Sequence, residues 1–425
     1  MENKIKEIIE TTKLKFGLDN YHLGQQELYR GINEFNETIY SLSMEWYPAH
    51  MMEQDEEGVN PKGTAVIQYQ LDTGQYRSVI FVQGMSYANG PICSPLSLNE
   101  IIRWVEREST LVYGKQFQLS QQKDNRFQFF ICVGGIPIAP SGQIEVHLDH
   151  MGKLVQYSIY GQYPPAASIQ EELYSLSLHK VESFAKKQLQ LIEYPAQEQQ
   201  RYIPFYLMEE IYVSNDGQGI LPFQFTANSP THLTIDEVVA WDFTNIQTEP
   251  FERVDVNLSE IISVEQAVVR EPHPDTFPIT TEEQEKCITV VKRAMVQLYP
   301  DDSGQWVLKA LQRDRGYIQA VLRKKKTTNH MFQRKLLLFI DTERSAVVNH
   351  MDNITLLHMF DPFESAEDVK VSHEEAFSKL KDLIELSPVY VYDATQKKYI
   401  LCGKLDCHFG VHAVNGEVMS LDDLH

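Results

Sequence analysis

Three segments of the chain alternate apolar and polar residues in two runs joined by a short polar stretch. They are TAVIQYQLDTGQYRSVIF (64–81), GQIEVHLDHMGKLVQYSIYG (142–161) and KLLLFIDTERSAVVNHM (335–351). An aspartate stands between the two runs of each segment, at Asp72, Asp149 and Asp341. An aspartate side chain can bond the amides ahead of it, and Gly74 and Gly152 can supply a positive φ. The pattern therefore predicts three β-hairpins.

A helix-like pattern precedes each hairpin, with further strand-like runs between the helix and the hairpin. In the second copy the helical segment is SLNEIIRWVERES, where Ile101, Trp104 and Val105 recur at helical spacing and predict one buried stripe. Each copy thus has the pattern of a helix followed by four strands. We predict an α+β fold of repeated helix-plus-antiparallel-sheet units, several in one chain, because such a unit can bury its own core.

Two shorter segments have a helix followed by two strands and a tight turn. The first begins with SLSLHKVESFAKKQLQLIEY and turns at Asn215-Asp216-Gly217. The second begins with VSHEEAFSKLKDLIELSPVYVYD and turns at Asn415-Gly416. Ser372 and Glu375 have the spacing of a capping box, which predicts where the second helix starts.

These patterns divide the chain into four parts. We predict an N-terminal helix-plus-four-strand unit at 1–92 and a central unit with its short extension at 93–222. A proline-rich, acidic connector follows at 223–280, and a C-terminal unit with a second short extension occupies 281–425. The length of 425 residues agrees with several units, because it exceeds what one hydrophobic core usually supports.

The net charge is −21, from 38 Lys and Arg against 59 Asp and Glu. Such a surface repels phosphates, so we expect no nucleic-acid partner. No window approaches the 18 apolar residues of a membrane span, and MENKIKEIIETTKLKFG lacks the apolar stretch of a signal peptide, so we expect no membrane insertion. The five scattered cysteines never have Cys-x-x-Cys spacing, which favours reduced thiols and a cytoplasmic location.

The segment RFQFFICVGGIPIAPSGQIEVHLDHMGKLVQYSIYG (126–161) carries the most specific pattern. Its Gly135-Ile136-Pro137-Ile138, then a strand, Asp149, Gly152 and a second strand, resembles the YcdB/YcdC-type repeat domains of Bacillus-like bacteria. It is similar, more distantly, to the propeptide modules of thermolysin-type metalloproteases, and the two short segments resemble PepSY domains. In the propeptide families this resemblance implies non-catalytic work, namely inhibiting or chaperoning a protease.

Two histidine motifs could hold a metal. His373-Glu374-Glu375-Ala376-Phe377 begins like the His-Glu-x-x-His motif of zinc proteases, but Phe377 replaces the second histidine. His147 and Asp149 share one face of a strand, while His150 falls in the turn. The equivalent hairpin positions elsewhere lack histidine, so we interpret this as a polar hairpin face.

Cys407, His408 and His412 lie close together near the C-terminus. On one regular strand Cys407 and His408 point to opposite faces, whereas His408 and His412 share a face about 13 Å apart, too far for one zinc ion. Cys407 belongs with Phe409 and Val411 in the apolar set, so we predict a buried, inert thiol.

Other catalytic motifs are missing from the sequence. GMSYANG (84–90) has the wrong spacing for a hydrolase elbow, and Gly217-Gln218-Gly219 lies between strands and is not a phosphate loop. Tyr157, Tyr160 and Tyr163 could form an aromatic rim for a peptide, but ordinary sheet packing is the favoured interpretation. We predict no catalytic, cofactor-binding or metal-binding residues and no cofactor.

Two functions stay open on the sequence. The favoured one is a non-enzymatic binding or regulatory protein that offers concave sheets or open strand edges to a protein or peptide partner. Inhibition of a protease is its narrower version. The alternative is a metal-dependent enzyme of unfamiliar type, with a site assembled between units from residues such as His147 and Asp149.

Overall fold

The computed structural model describes residues 2–50, 60–90, 97–221, 229–241, 251–256 and 261–424. The chain is α+β, with more sheet than helix. The α-helices of these ranges are α1 Glu2–Phe16, α2 Leu98–Ser109, α3 Leu178–Gln188, α4 Val264–Val269, α5 Thr281–Leu298, α6 Ile354–Leu357 and α7 His373–Leu380. None of the helices in these ranges has the length and apolar character that crossing a membrane requires.

Strands make up most of the remaining regular structure. Those before residue 222 are β1 Tyr21–Ile32, β2 Thr38–Pro48, β3 Ala65–Gln70, β4 Gln75–Phe81, β5 Phe117–Lys123, β6 Arg126–Val133, β7 Ile136–Ala139, β8 Gln143–Leu148, β9 Leu154–Tyr160, β10 Leu189–Ala196, β11 Arg201–Met208, β12 Ile211–Ser214 and β13 Ile220–Leu221. The later ones are β14 His232–Val239, β15 Ile261–Ile262, β16 Trp306–Asp314, β17 Tyr317–Lys324, β18 Lys335–Asp341, β19 Ala346–Asp352, β20 Glu385–Asp393, β21 Lys398–Asp406, β22 Phe409–His412 and β23 Val418–Ser420.

The chain forms two compact units. The first is Met1–Ile169 with Ser259–Thr276, and the second is Gln170–Leu258 with Phe277–His425. They divide the chain differently from the four predicted parts, because strands far apart in sequence pair with each other. β12, from the predicted central part, pairs with β21, and β15, from the predicted connector, pairs with β1. Cys93 lies outside the described residues, as does part of the predicted connector.

The first unit contains one antiparallel sheet in the order β15-β1-β2-β3-β4-β9-β8-β6-β5, with β7 folded back on the end of β6. The strands after α1 and those after α2 meet at β4 and β9, the last strand of each group. Both helices cover one face: Phe16 contacts Tyr76 with ring centroids 4.9 Å apart, and Trp104 contacts Tyr157 at 5.0 Å. The other face of the sheet therefore remains uncovered by these helices.

Local sequence determines where α2 begins and ends. Ser97 Oγ accepts the N–H of Glu100 at 3.3 Å, and Thr110 ends the helix in the left-handed conformation with φ 61°. The predicted stripe is confirmed, because Ile101, Trp104 and Val105 are all buried.

All three predicted hairpins are present, as β3–β4, β8–β9 and β18–β19. Asp149 accepts bonds of 2.8 and 2.9 Å from two turn amides, and Asp341 accepts two of 2.9 and 3.0 Å, which confirms their role. For Asp72 the prediction is wrong. Its carboxylate accepts the N–H of Tyr40 at 2.8 Å, because β2 places this amide beside the turn.

A segment of the predicted connector covers the outer edge of β1. β15 pairs with β1, and α4 follows directly. Beyond α4, Arg30 Nη1 lies 3.3 Å from a carboxylate oxygen of Glu271 and donates to the carbonyl oxygen of Pro272 at 3.1 Å. Tyr40 also donates its hydroxyl to the carbonyl oxygen of Glu271. The covered edge is protected against unwanted strand pairing.

One part of the second unit is a five-stranded antiparallel sheet in the order β14-β16-β17-β18-β19, packed against α5. A complete capping box starts α5: Thr280 Oγ1 accepts the N–H of Glu283 at 3.2 Å, and the Glu283 carboxylate accepts the N–H of Thr280 at 2.9 Å. Val291, Trp306 and Leu336 are fully buried between the helix and the sheet.

Elsewhere in the second unit, the two short segments at 170–221 and 370–424 exchange strands. Each gives its first two strands to one sheet and its last two to the other, so the orders are β10-β11-β22-β23 and β20-β21-β12-β13. α3 and α7 share one core, in which Val181, Val213 and Leu405 are inaccessible to solvent. The two segments therefore fold as one interlocked structure.

Candidate functional site

A groove lies on the open face of the first unit's sheet. Its volume is about 460 Å³, and it lies over parts of β2, β3, β4 and the end of β9. Polar residues line its floor, namely Ser41, Gln68, Gln70 and Ser78. Isoleucines border it, namely Ile32, Ile39, Ile80 and Ile159. Its described lining contains one cation, Arg77, and one carboxylate, Glu34.

The polar floor follows from the alternation of side chains along neighbouring strands. A row of direct cross-strand neighbours runs over β2, β3, β4, β9, β8 and β6 through Ser43, Gln68, Ser78, Ser158, Glu145 and Gln128. Amide and hydroxyl side chains can both donate and accept hydrogen bonds. An extended chain laid on this face would therefore meet accessible bonding groups on β2, β3 and β4, where Ser43, Gln68 and Ser78 are at least partly exposed, whereas Ser158 of β9 is fully buried.

Arg77 reaches the groove because β4 contains a β-bulge. Gln68 pairs with Ser78 and Tyr69 pairs with Tyr76, so Arg77 is the extra residue between two regular pairs. A bulge interrupts the regular alternation and can re-aim the side chain that it contains. Arg77 and Ser78, although adjacent in sequence, consequently both line the groove.

Arg77 is held by a backbone group. Its Nη2 donates a hydrogen bond of 2.6 Å to the carbonyl oxygen of Gly161, the residue after β9. Burial lowers the pKa of the Arg77 guanidinium, while the negative charge of the Glu34 carboxylate raises this pKa. No carboxylate of the described residues lies within ion-pair distance of Arg77.

One end of the groove is closed by the β1–β2 turn. Asn33 Oδ1 accepts two backbone N–H groups of this turn at 3.0 and 2.8 Å, and its Nδ2 lies 3.4 Å from Gln162 Oε1. Tyr160 stands beside this bridge and is 56% exposed. Tyr157, in contrast, is buried against Trp104 on the helix-covered face, so it does not join Tyr160 in an aromatic rim.

The same sheet face carries a second charged group outside the groove. Glu145 accepts hydrogen bonds from the side-chain amides of Gln143 at 2.8 Å, Gln156 at 3.1 Å and Gln128 at 3.5 Å. This carboxylate already has its bonding partners within the protein. Arg77 differs from it, since its described partner is a single carbonyl oxygen.

The C-terminal trio of Cys407, His408 and His412 does not form a common site. Cys407 is 1% exposed, its thiol contacts the carbonyl oxygen of Phe409 at 3.6 Å, and burial raises the pKa of the thiol. His408 is exposed, and its Nε2 lies 3.9 Å from a carboxylate oxygen of Asp406. The buried thiol is confirmed, but the predicted continuous strand is wrong, because the chain passes from one sheet to the other between β21 and β22.

The residues of the other two histidine motifs contact neighbouring groups of the fold. Burial and the nearby Arg126 lower the pKa of His147, and Asp149 is occupied with its own turn. His373 Nε2 contacts the carbonyl oxygen of Leu189 at 3.1 Å. In the described ranges, no three His, Cys, Asp or Glu side chains are grouped as metal ligands. A metal site between units stays a prediction, which elemental analysis of the purified protein would test.

Ser372 caps α7 as predicted. Its Oγ accepts the N–H of Glu375 at 3.2 Å. The return bond that would complete a capping box is not formed, so the helix start is confirmed and the full box is not.

The sequence prediction did not include Arg77, although the hairpins contain a signal for it. Each hairpin has a bulge in its second strand, at Arg77 in β4, Val155 in β9 and Val348 in β19. Two hairpins have valine at the bulged position, and the first has a charged residue. Such a local departure from a shared pattern is typical of a functional position.

No protein-family model matches the chain, and no curated protein matches it. Among solved structures, the chain is similar to the Bacillus megaterium YpeB C-terminal domain. The similarity covers 82% of this chain and 96% of that chain, with 9% sequence identity and a TM-score of 0.23. The functional interpretation therefore rests on the geometry of the groove.

Proposed function

We propose that the chain is a non-enzymatic binding protein whose groove takes an extended polypeptide segment. The observation that carries the proposal is the polar row on an open sheet face, bordered by isoleucines and closed at one end by Asn33 and Gln162. Amide and hydroxyl groups can bond the peptide groups of a partner, and the isoleucines favour apolar side chains. The volume of about 460 Å³ is typical of ligand sites.

The composition of the groove supports binding over catalysis. Among its described lining residues there is no histidine or cysteine, and its serines, Ser41 and Ser78, have no imidazole beside them in that lining. A serine nucleophile requires such a base within hydrogen-bond distance. The lining supplies hydrogen bonds, apolar contacts and one cation.

We infer that the scaffold consists of copies of one PepSY-like or YcdB-like building block. In support, α1, α2 and α5 each precede an antiparallel run that ends in a bulged hairpin. Two copies would then join through β4 and β9, and the groove lies at this junction. Duplication would explain how a wide open sheet face arises from small units.

Protease inhibition is the narrower form of the proposal. A protease that presents an extended loop would fit the groove, and its rate would fall when the complex forms. Unchanged rates across the secreted and cytosolic proteases of the host would remove this version. A cytoplasmic setting stays a prediction, supported by the free, buried thiols of Cys132, Cys287, Cys402 and Cys407.

The proposal is tested by filling the groove. Heptapeptides are selected from a random library on the wild-type protein, and their dissociation constants are measured by fluorescence polarisation. We expect Ser78→Trp to weaken the selected peptides at least tenfold, because the indole would occupy the floor beside Gln68. Ser120→Trp is the matched control, since Ser120 is exposed in β5 of the same sheet and does not line the groove.

Circular dichroism and thermal unfolding establish that both variants fold. If no peptide is enriched, or if the enriched peptides bind Ser78→Trp as tightly as wild type, the groove is not the binding site and the proposal fails.

A further inference from the structure

Resting on the proposed function, we propose that the bound segment presents a carboxylate to Arg77. The partner would thus be an acidic side chain or a free C-terminus. Arg77 is the cation of the described groove lining, and it stands in a chain whose net charge is −21. A cation kept in the groove of such an acidic protein matches a ligand of opposite charge.

The unused bonding capacity of Arg77 supports a carboxylate. A guanidinium has five N–H donors in a planar fork, and among the described residues Arg77 gives one hydrogen bond, from Nη2 to the carbonyl oxygen of Gly161. That bond fixes the orientation of the plane while donors stay available. Carboxylates fit the remaining edge because their two oxygens accept parallel bonds from two N–H groups.

Other poorly exposed arginines of the chain already have carboxylates. Arg30, Arg313 and Arg334 lie 3.3, 2.8 and 2.9 Å from carboxylate oxygens of acidic residues. A partly buried charge is costly unless it is paired. Arg77 has no such partner in the described residues, so a carboxylate brought by a ligand would complete the same arrangement.

Glu34 restricts how much negative charge the ligand can carry. It lines the same groove and lies beyond ion-pair distance from Arg77. A ligand with one carboxylate can approach Arg77 from the side away from Glu34, while a second carboxylate near Glu34 would be repelled. We therefore expect a preference for a single carboxylate and expect Glu34→Gln to bind as well as wild type or better.

Three peptide pools test the inference. All are random heptapeptides of uncharged residues with a neutral fluorophore at the N-terminus. The first has a free C-terminus, the second has an amidated C-terminus and one internal glutamate, and the third has glutamine in place of that glutamate. The first two pools thus carry a carboxylate, and the third, the amide pool, carries none. We expect the wild-type protein to bind at least one carboxylate pool at least tenfold more tightly than the amide pool. The stronger of the two carboxylate pools identifies the source.

The variants separate charge recognition from structure. Arg77→Gln should weaken the preferred carboxylate pool at least tenfold more than the pool without a carboxylate, and Arg77→Lys should retain part of the preference. Arg126→Gln makes the same charge change at an exposed position of β6 outside the groove and should behave as wild type.

Three results would overturn the inference. Equal binding of all pools by wild type would leave the proposed function standing and remove the carboxylate. Equal weakening of all pools by Arg77→Gln would assign Arg77 a structural role. Binding of no pool would remove the proposed function as well.

Discussion

The guanidinium of Arg77 donates a hydrogen bond of 2.6 Å to the carbonyl oxygen of Gly161. This bond joins the bulge of β4 to the end of β9, so it links the two strand groups that follow α1 and α2. Gly161 has φ 69°, a left-handed conformation that aims its carbonyl while the chain turns away from the sheet. The geometry of the groove thus depends on a glycine.

Gly161→Ala should destabilise the protein and weaken peptide binding. The left-handed backbone costs a residue with Cβ about 1–2 kcal/mol. The added Cβ would also lie 2.9 Å from the Cα of Gly142, a backbone atom that cannot move freely. We expect a lower free energy of unfolding in urea and weaker binding of the selected heptapeptides.

Gly134→Ala is the matched control for this prediction. Gly134 has φ 59°, and a Cβ added there would meet no atom within 4 Å. This variant therefore experiences only the backbone cost of about 1–2 kcal/mol. A loss for Gly161→Ala no larger than that for Gly134→Ala would show that the close approach to Gly142 does not matter.

Leu405→Ala should weaken a segment almost two hundred positions earlier in the chain. Leu405 is fully buried and pairs directly with Ile211 of β12 in the interlocked part of the second unit. Emptying this site should cost about 2–5 kcal/mol. Hydrogen exchange followed by mass spectrometry should show lower amide protection in β12 as well as in β21.

Leu336→Ala is the comparison for Leu405→Ala. Leu336 is equally buried, in the core beneath α5, and pairs with Leu322 of β17. In Leu336→Ala the loss of amide protection should be concentrated in β17 and β18. If both variants lowered protection at the same sites, the two cores would unfold together and the prediction of separate responses would be wrong.

Glu283→Gln should destabilise the start of α5 by about 1–2 kcal/mol at pH 7. Burial alone would raise the pKa of Glu283, but bonds from the Thr280 N–H and from Arg313 lower it below its ordinary value. The stabilisation is therefore present at neutral pH and is lost as the pH falls through the folded-state pKa. Urea unfolding at pH 7 and pH 3 should show the variant's deficit shrink at pH 3.

Glu282→Gln serves as the control one residue earlier. Glu282 is exposed and pairs with Lys286 in an i,i+4 contact, which contributes little to stability because solvent screens it. Equal losses for the two variants would contradict the role given to the charge of Glu283 and its pairing with Arg313, since glutamine can keep the bond to the Thr280 N–H.

We expect the thiol of Cys402 to lower the free energy of unfolding at alkaline pH. Burial raises the pKa of its thiol to about 12, whereas an unfolded cysteine has a pKa of about 8.5. The folded state therefore keeps a proton that the unfolded state loses. This contribution is complete below about pH 8.5 and is lost as the pH rises towards the folded pKa.

Urea unfolding at pH 8 and pH 10.5 measures that effect. In wild type the free energy of unfolding falls as the pH rises. Cys402→Ala should reduce the slope of this fall by an amount that corresponds to at most one proton. Val389→Ala, at the direct cross-strand neighbour, removes buried volume without removing a titrating group. It should lower stability at both pH values and keep the wild-type slope, and an unchanged slope for Cys402→Ala would contradict the prediction.

The hairpins and α2 could be predicted because their causes lie close together in sequence. The alternation within 142–161 and the turn amides beside Asp149 belong to one short segment. The same holds for the buried stripe of Ile101, Trp104 and Val105. The capping box of Thr280 and Glu283 was equally local, and the Thr-x-x-Glu spacing was a signal that the prediction did not use.

Strand exchange could not be predicted in the same way. Periodicity indicates which face of a strand is buried, but it does not identify the strand that lies beside it. Phe205 pairs with His412, and Ile211 pairs with Leu405, although the sequence pattern indicates two separate extensions. The groove was missed for a related reason, because the bulge at Arg77 breaks the alternation on which the prediction depended.

The interlocked sheets impose an order on synthesis. β10 to β13 leave the ribosome roughly 190 residues before β22 is complete, which at about 5–20 residues per second is a wait of about 10–40 s. Throughout that interval the nascent β11 and β12 have no neighbour from the later segment. A cell that makes this protein must shield one open edge of β11 and one of β12 until the chain delivers β22 and β21.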